Sequence, residues 1–390
     1  LIPYGRQQLD DDDINAVLDT LKSDWLTQGP TIPRFEEALA NYCGANYGIA
    51  VNSATSALHI ACLALGVGEG DSVWTSPNSF VASSNCALYC GASVDFVDID
   101  LESGNMSIDA LETKLEKAKI NGTVPKVIIP VHFAGQPCDM AQIHALSESY
   151  GFHIIEDASH AVGAKYKGDF VGCGKYADIC VFSFHPVKII TTMEGGMALT
   201  NNTEIAEKMR MLRSHGITNN PTLMTEPSHG PWYYQQVDLG FNYRMTDVEA
   251  ALGLSQLKKL PSFLEKRNAL AQQYDELFSA HDNIVPLKQR SDVDSSYHLY
   301  VVRILGLNDE EKAVLVSQLR AAEIFAHVHY IPIHLQPYYQ NLGFSQRDFP
   351  NAERYYEQAI TLPLFPELSL NDLTYIVDTI TKYVDNIYSR

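Results

Sequence analysis

Basic residues are scarce in this 390-residue chain. Lysine and arginine number 28 against 47 acidic residues, a net charge of −19. That balance excludes nucleic acid as a partner, because gripping a phosphate backbone takes basic surface. No apolar run is long enough to span a bilayer, and no basic start followed by an apolar stretch marks a signal peptide. A cytoplasmic enzyme with no membrane partner is therefore expected. None of the seven cysteines (Cys43, Cys62, Cys86, Cys90, Cys138, Cys173, Cys180) forms a Cys-x-x-Cys pair. An odd count in apolar patterns reads as buried, reduced thiols. His327, His329 and His334 cluster, but no cysteine or acidic ligand lies close in sequence, so no metal is expected. Internal repeats and low-complexity segments are also missing.

What is present is alternation. Asp10–Ser23 reads as a helix with Ile14, Val17, Leu18 and Leu21 on one face and acids in its first turn, and Thr31–Cys43 as another. Strands are expected at 48–51, 72–75, 94–97, 126–131, 152–156, 178–184 and 196–200. Helices are expected at 54–65, 80–89, 109–118, 140–150 and 203–214. Such alternation implies a mostly parallel, helix-covered sheet, whose ligands gather at strand carboxyl ends. Residues 217–238 are Pro-rich and aromatic (Trp232, Tyr233, Tyr234), and so long a stretch without periodicity reads as a functional excursion. The length calls for two domains. A large domain is expected over 1–250, with 1–30 at the substrate site, then a connecting helix over 251–280. A small α/β domain follows over 281–390, with strands at 297–304 and 326–329 and helices at 310–322 and 370–387.

Three features carry chemistry. The β-rich stretch Ile179–Phe184 delivers one cation, Lys188, into an uncharged neighbourhood. Desolvation disfavours its ammonium form and makes the amine a nucleophile, the chemistry of a Schiff-base lysine. A lone lysine at a strand end more often snorkels to water. Thirty-one residues earlier, a buried strand ends in Glu156-Asp157. Asp157 could pair with a protonated ring nitrogen, or it could be a plain turn residue. Third, a small apolar strand enters a helix through Asn52-Ser53-Ala54-Thr55. Helix N-termini bind phosphate, although a simple N-cap looks the same. A lysine for an aldehyde, a carboxylate for a ring nitrogen and donors for a phosphate are the three anchors of a pyridoxal phosphate site. Ser183 offers a further hydroxyl. Phe80 could stack on the ring or be ordinary core.

With these residues in place the chain resembles the sugar-nucleotide aminotransferases (DegT/DnrJ/EryC1/StrS type) among the aspartate-aminotransferase-like, fold type I pyridoxal phosphate enzymes. The segments carrying the resemblance run from Leu26-Thr27-Gln28-Gly29-Pro30 through Asn52–Leu58, Glu156–His160, Ser183–Lys188, Glu194-Gly195-Gly196 and Arg213–Gly216 to Gly240–Arg244. Within the family it looks most like members that aminate C4 of a UDP-linked 4-keto-6-deoxy-N-acetylhexosamine in pseudaminic acid biosynthesis. The features behind this are Ser183-Phe184-His185, Thr191–Gly196 and His327–His334. Pro186, His327 and His160 depart from the pattern, which has Ala, Gln and often Gln there.

The resemblance implies L-glutamate as donor, with Lys188 moving the proton, and pyridoxamine phosphate as the intermediate cofactor form. It implies that Ser53, Ala54, Thr55, Phe80, Asp157, His160, Ser183 and Asn242 hold the cofactor. Asn242 would reach the phosphate of a neighbouring subunit in a homodimer. Tyr4, Asp24, Trp25, Leu26, Thr27, Ala54, Ser183, Asn242, His327, Val328, His329 and Tyr330 would meet the UDP-sugar. Because both substrates are anions, local cations are needed against the global field, and Arg213, His215, Arg244, His327 and His329 are the candidates. His185, three residues before a retained lysine, is read as a supporting group.

Overall fold

The computed structural model describes residues 1–388. In chain order the elements are β1 (Ile2–Pro3), α1 (Asp11–Leu21), α2 (Thr31–Cys43), β2 (Tyr47–Val51), α3 (Ala54–Ala64), β3 (Ser72–Thr75), α4 (Ala82–Tyr89), β4 (Ser93–Phe96), α5 (Ile108–Asn121), β5 (Val127–Ile129), α6 (Met140–Tyr150) and β6 (His153–Asp157). They continue as β7 (Lys165–Tyr166), β8 (Asp169–Phe170), β9 (Ile179–Ser183), β10 (Gly196–Thr200), α7 (Thr203–Leu212), β11 (Ile217–Thr218), β12 (Gln235–Gln236) and α8 (Asp247–Phe278). The last are β13 (Ile284–Pro286), β14 (Val293–Asp294), β15 (Tyr300–Ile304), α9 (Asp309–Ala321), β16 (Ile324–Phe325), α10 (Pro337–Gln340), α11 (Pro350–Gln358), β17 (Ala359–Leu362) and α12 (Leu370–Tyr388). No helix among the described residues is long and apolar enough to cross a membrane.

The main sheet has seven strands in the order β2-β10-β9-β6-β5-β3-β4. Neighbours from β9 to β4 pair in parallel, and β10 runs antiparallel to both β2 and β9. Val127-Ile128-Ile129 and Ile179–Ser183 are buried along their whole length, as strands covered by helices on both faces must be. This is the mostly parallel, helix-covered sheet that the alternation predicts.

Helix α1 departs from expectation. Its apolar residues Ile14, Leu18 and Leu21 are 58%, 42% and 54% exposed, while Asp13 is buried. Asp13 closes a capping box with Asp10 and accepts from Gln256 Nε2 at 2.9 Å and Lys259 Nζ at 2.7 Å, both on α8. A polar clasp docks this helix and leaves its apolar face uncovered.

The strand expected at 326–329 is displaced. The pairing residues are Ile324 and Phe325, in parallel with Ile2 and Pro3 of β1. The proposed division at 250 and 280 is also crossed. Ile2 packs in the second core with α8, α9, α12 and the β13-β15-β17 sheet. Ile333, Tyr339, Phe349 and Tyr355 join the main core instead, and β14 pairs with β7.

Arg213 is engaged inside the fold. Its guanidinium donates to the buried Glu36 carboxylate and to Ala50 O at 2.7 Å, while Ala50 N–H donates to the same carboxylate at 2.8 Å. The pair clamps α2, β2 and the end of α7 together. Removing one partner strands a buried charge. Arg213→Ala should cost ~3–5 kcal/mol in urea unfolding, and the double variant with Glu36→Ala should lose less than the sum. A loss under ~1 kcal/mol with weakened sugar-nucleotide binding would return Arg213 to the substrate site.

Candidate active site

A cavity of about 490 Å³ opens at the carboxyl ends of β2, β6 and β9. Ser53 follows β2, while Asp157 and Ser183 end β6 and β9. Asp157 and Val181 lie opposite each other in parallel register, so the carboxylate and the chain leading to Lys188 emerge side by side. After Ser183 a turn closed by Lys188 N–H to His185 O at 2.8 Å brings Lys188 back over the strand ends. Lys188 lines the cavity and is half-buried. Burial pulls its pKa down to about 8, against the opposing pull of Asp157.

Asp157 is aimed by its neighbours. Oδ1 accepts from Ser159 N–H at 3.1 Å and Oδ2 from Ser83 Oγ at 2.6 Å. Ser79 Oγ lies 2.7 Å from Ser83 Oγ. A carboxylate only accepts, so the Ser83 proton goes to Asp157, the Ser79 proton goes to Ser83, and Ser79 offers lone pairs to the cavity.

Helix α3 points its N-terminus into the same space. Ser53 Oγ caps it by accepting from Ser56 N–H at 3.1 Å. Ser56 Oγ donates to Asn52 Oδ1 at 2.7 Å, so the Ser53 proton turns to Ser56, 3.0 Å away. Thr55 is therefore the hydroxyl left free at this helix end, beside the unpaired amides of Ala54 and Thr55. A Cβ on Gly196 would sit 2.5 Å from Ala54 N and from Ser53 C. Only glycine lets β10 approach this cradle so closely. Free amides at a helix end, an aimed carboxylate and a desolvated amine are the donor set that a phosphorylated pyridine aldehyde requires, and the residues fit it.

The opposite wall is imidazole and phenol. Ala134 N–H donates to His160 Nδ1 at 3.3 Å, and His160 Nε2 lies 3.1 Å from Tyr330 Oη. Burial, then Lys188 and His329, hold the His160 pKa well below the usual range. The ring is neutral with its proton on Nε2, donated to Tyr330 Oη, and the Tyr330 proton remains free. His298 lies with its ring centroid 4.4 Å from that of His160. Burial and the neighbouring cations also keep it uncharged, and its Nδ1 has no partner. Burial, with His327 and Lys188, pulls His329 down to about 3, and its Nδ1 meets Thr361 Oγ1 at 2.9 Å. Tyr4 sits with its ring centroid 5.3 Å from those of both His327 and His329.

The cavity thus gathers Tyr4, Ser53, Ala54, Thr55, Phe80, Asp157, His160, Ser183, Lys188, His327, His329 and Tyr330. Phe80 is 60% exposed, so it is not core. Other expected residues lie elsewhere. Asp24, Trp25, Leu26 and Thr27 are exposed and pinned beside α8, where Leu26 O accepts from Asp247 N–H at 3.0 Å. Val328 turns its side chain into the second core. Asn242 is exposed, bridged by its backbone to Ser214. His215 and Arg244 do not line the cavity. Sequence reasoning missed Ser79, Ser83 and His298. Tyr297-His298 stood at the start of the strand expected at 297–304, and the Ser295-Ser296 pair just before it was the hint that the strand begins later. Among the described residues no cluster of three or more His, Cys, Asp or Glu could hold a metal ion.

Comparison with known proteins identifies the family. The model of the DegT/DnrJ/EryC1/StrS aminotransferase family matches residues 7–381. The chain is 38% identical over 387 residues to the UDP-4-amino-4,6-dideoxy-N-acetyl-beta-L-altrosamine transaminase of Campylobacter jejuni serotype O:23/36, covering 99% of this chain and 98% of that protein. Spr1654 of Streptococcus pneumoniae in its PMP-form superposes with a TM-score of 0.91 at 33% identity, covering 99% of this chain and 100% of the other. Helicobacter pylori PseC, an aminotransferase involved in the biosynthesis of pseudoaminic acid, gives 0.89 at 33% identity, covering 99% of each chain. The chain belongs to the DegT/DnrJ/EryC1/StrS aminotransferase family and is a pyridoxal phosphate-dependent sugar aminotransferase of the type I fold.

Proposed function

We propose that the protein moves an amino group from L-glutamate to C4 of UDP-2-acetamido-2,6-dideoxy-β-L-arabino-hex-4-ulose, a step towards pseudaminic acid. One observation carries the reaction class: a water-poor lysine amine, an aimed carboxylate and a helix N-terminus share a single cavity. The whole-chain likeness to the altrosamine transaminase and to PseC supports the choice of sugar.

When bound, pyridoxal phosphate supplies an electron sink that lets an amine pass between two carbonyl carbons. The α3 amides with Thr55 would hold its phosphate, Asp157 would keep its ring nitrogen protonated, and Phe80 would cover the ring. His160 and Tyr330 stay neutral and offer the free phenol proton towards the cavity. Lys188, uncharged in part near neutral pH, takes a proton from the donor α-carbon and later returns one at sugar C4. Tyr4, His327 and His329 form the wall for the nucleotide-sugar. A homodimer is the proposed active unit: Asn242 lies off its own cavity and is free to reach a second chain's phosphate. The uncovered Ile14, Leu18 and Leu21 face, with Trp232 75% exposed, gives a second copy apolar surface to cover.

Lys188→Ala should lower amine transfer at least ~100-fold, followed by NMR of the amino sugar; turnover within a few-fold of the parent would remove the lysine from the mechanism. In cofactor-free protein, the rate of pyridoxal phosphate uptake should rise with pH through a midpoint near 8. Asp157 favours the charged amine, so Asp157→Asn should move that midpoint lower; a shift upward would contradict the assigned geometry. Offered a panel of UDP- and dTDP-linked keto sugars with glutamate, the enzyme should aminate the UDP-linked L-configured 4-keto sugar fastest. Preference for a D-configured 4-keto or a 3-keto sugar would reassign the substrate within the same class.

A further inference from the structure

Behind the imidazole wall lies a buried cation. Arg267 of α8 is 1% exposed. Its Nη1 donates to Tyr297 O at 3.1 Å, His298 O at 3.3 Å and Leu364 O at 3.1 Å, while Nε has no partner. Burial pulls its pKa down to about 10, with no carboxylate pulling the other way. Enclosing a guanidinium without a counter-ion is costly. What this one accomplishes is to join two distant segments of chain at their main-chain oxygens.

One of those segments is a bend under strain. Tyr297 has φ +44, a left-handed conformation that a bulky residue adopts only where its surroundings impose it. Those surroundings grip every residue of the bend. Asn268 Nδ2 donates to Ser295 O at 3.2 Å, and Ser296 N–H donates to Gly135 O at 3.1 Å. Ser296 Oγ donates to His160 O at 2.8 Å, and Leu299 N–H to Ala134 O at 3.2 Å. Held in this way, His298 lines the cavity with its ring centroid 4.4 Å from that of His160.

We propose that Arg267 is a positioning residue for amine transfer, acting through His298 on His160. By holding the Tyr297 and His298 carbonyls it sets the His298 ring against the His160 ring. That packing keeps His160 in the one orientation where Nδ1 meets Ala134 N–H and Nε2 meets Tyr330 Oη. The role in catalysis rests on reading this cavity as the place where Lys188 moves its proton. A group that must face a reacting atom needs its supports fixed to a fraction of an ångström, and a bend gripped at each residue supplies that.

The contribution of His298 is its ring, since its Nδ1 has no partner. An apolar ring of similar size can stand in for it, whereas losing the ring leaves His160 free to turn. Arg267 reaches only main-chain oxygens in the bend, so changing the His298 side chain removes none of its bonds. Arg267→Lys keeps the charge but loses the planar fork, which separates position from charge.

Imidazole 15N NMR of the cofactor-free protein tests the geometry without turnover, so its outcome is separate from that of Lys188→Ala. Wild type should show His160 as one neutral tautomer with its proton on Nε2. His298→Ala should mix the two tautomers, and His298→Phe should restore the single one. In the cofactor-loaded enzyme, His298→Ala and Arg267→Lys should each lower kcat at least ~10-fold with KM for the sugar nucleotide changed less than ~3-fold, and His298→Phe should recover at least ~5-fold of the loss. An unchanged His160 tautomer in His298→Ala would overturn the proposal. So would His298→Phe behaving like His298→Ala, or an Arg267→Lys protein with a lower urea midpoint and parental kcat, the signature of a purely structural arginine. If Arg267→Lys does not fold, the two His298 variants decide the matter.

Discussion

The molecule is organised around one amine kept dry next to one carboxylate. In water a lysine ammonium is too stable to act as a nucleophile near neutral pH. Enclosure at the sheet's carboxyl edge removes that hydration, and Asp157 restores only part of it, so the net pull on Lys188 is downward. This balance needs both groups delivered to one place by rigid elements. Adjacent parallel strands β6 and β9 do so, since parallel neighbours release their chain ends on the same side of the sheet. Antiparallel β10 then brings Gly196 against the start of α3, and the phosphate end of the site closes onto the same edge.

A chain of charge −19 that handles anionic substrates poses an electrostatic puzzle, and the cavity resolves part of it without extra cations. Arg213, a natural candidate, is consumed by Glu36. His160, His298 and His329 crowd around Lys188, where burial and mutual repulsion keep all three uncharged. Neutral imidazoles suit the task better than cations would. They fix hydrogen-bond direction, as His160 does for Tyr330, without lowering the Lys188 basicity further. In the proposed reading, attraction for a phosphate falls to the α3 dipole and its free amides, which bear no titratable charge.

Much of this was legible locally. Strand β10 and helices α2 and α6 lie where periodicity put them, and Lys188, Asp157 and Thr55 stand out by residue type at strand and helix ends. The rest depended on contacts distant in sequence. Ser83 matters because its hydroxyl meets Asp157, 74 residues on, and nothing in Ala82-Ser83-Ser84 announces that. His298 enters the cavity from the other side of the chain's fold, in a segment whose alternation resembles the start of β15. Helix α1 shows the limit of amphipathic reading. Ile14, Leu18 and Leu21 make a clear apolar face, but Asp13 found two long polar partners on α8, and that clasp set the helix's orientation.

The proposed phosphate cradle and the packing of α2 on β2 form a single construction. Glu36 takes the amide of Ala50 and Arg213 takes its carbonyl, so the last turn of β2 is held from both sides three residues before Ser53. Two residues upstream of Ala50, a Cβ on Gly48 would sit 2.7 Å from Glu36 O, so α2 can press against β2 only because that position is bare. The start of α3 therefore inherits its position from a buried ion pair and two close backbone approaches, at Gly48 and at Gly196. A helix end placed this rigidly can hold its amides apart at the spacing of phosphate oxygens with little reorganisation on binding. The acidic chain thus spends a buried arginine on geometry, and the geometry recovers the anion affinity that the arginine no longer gives directly.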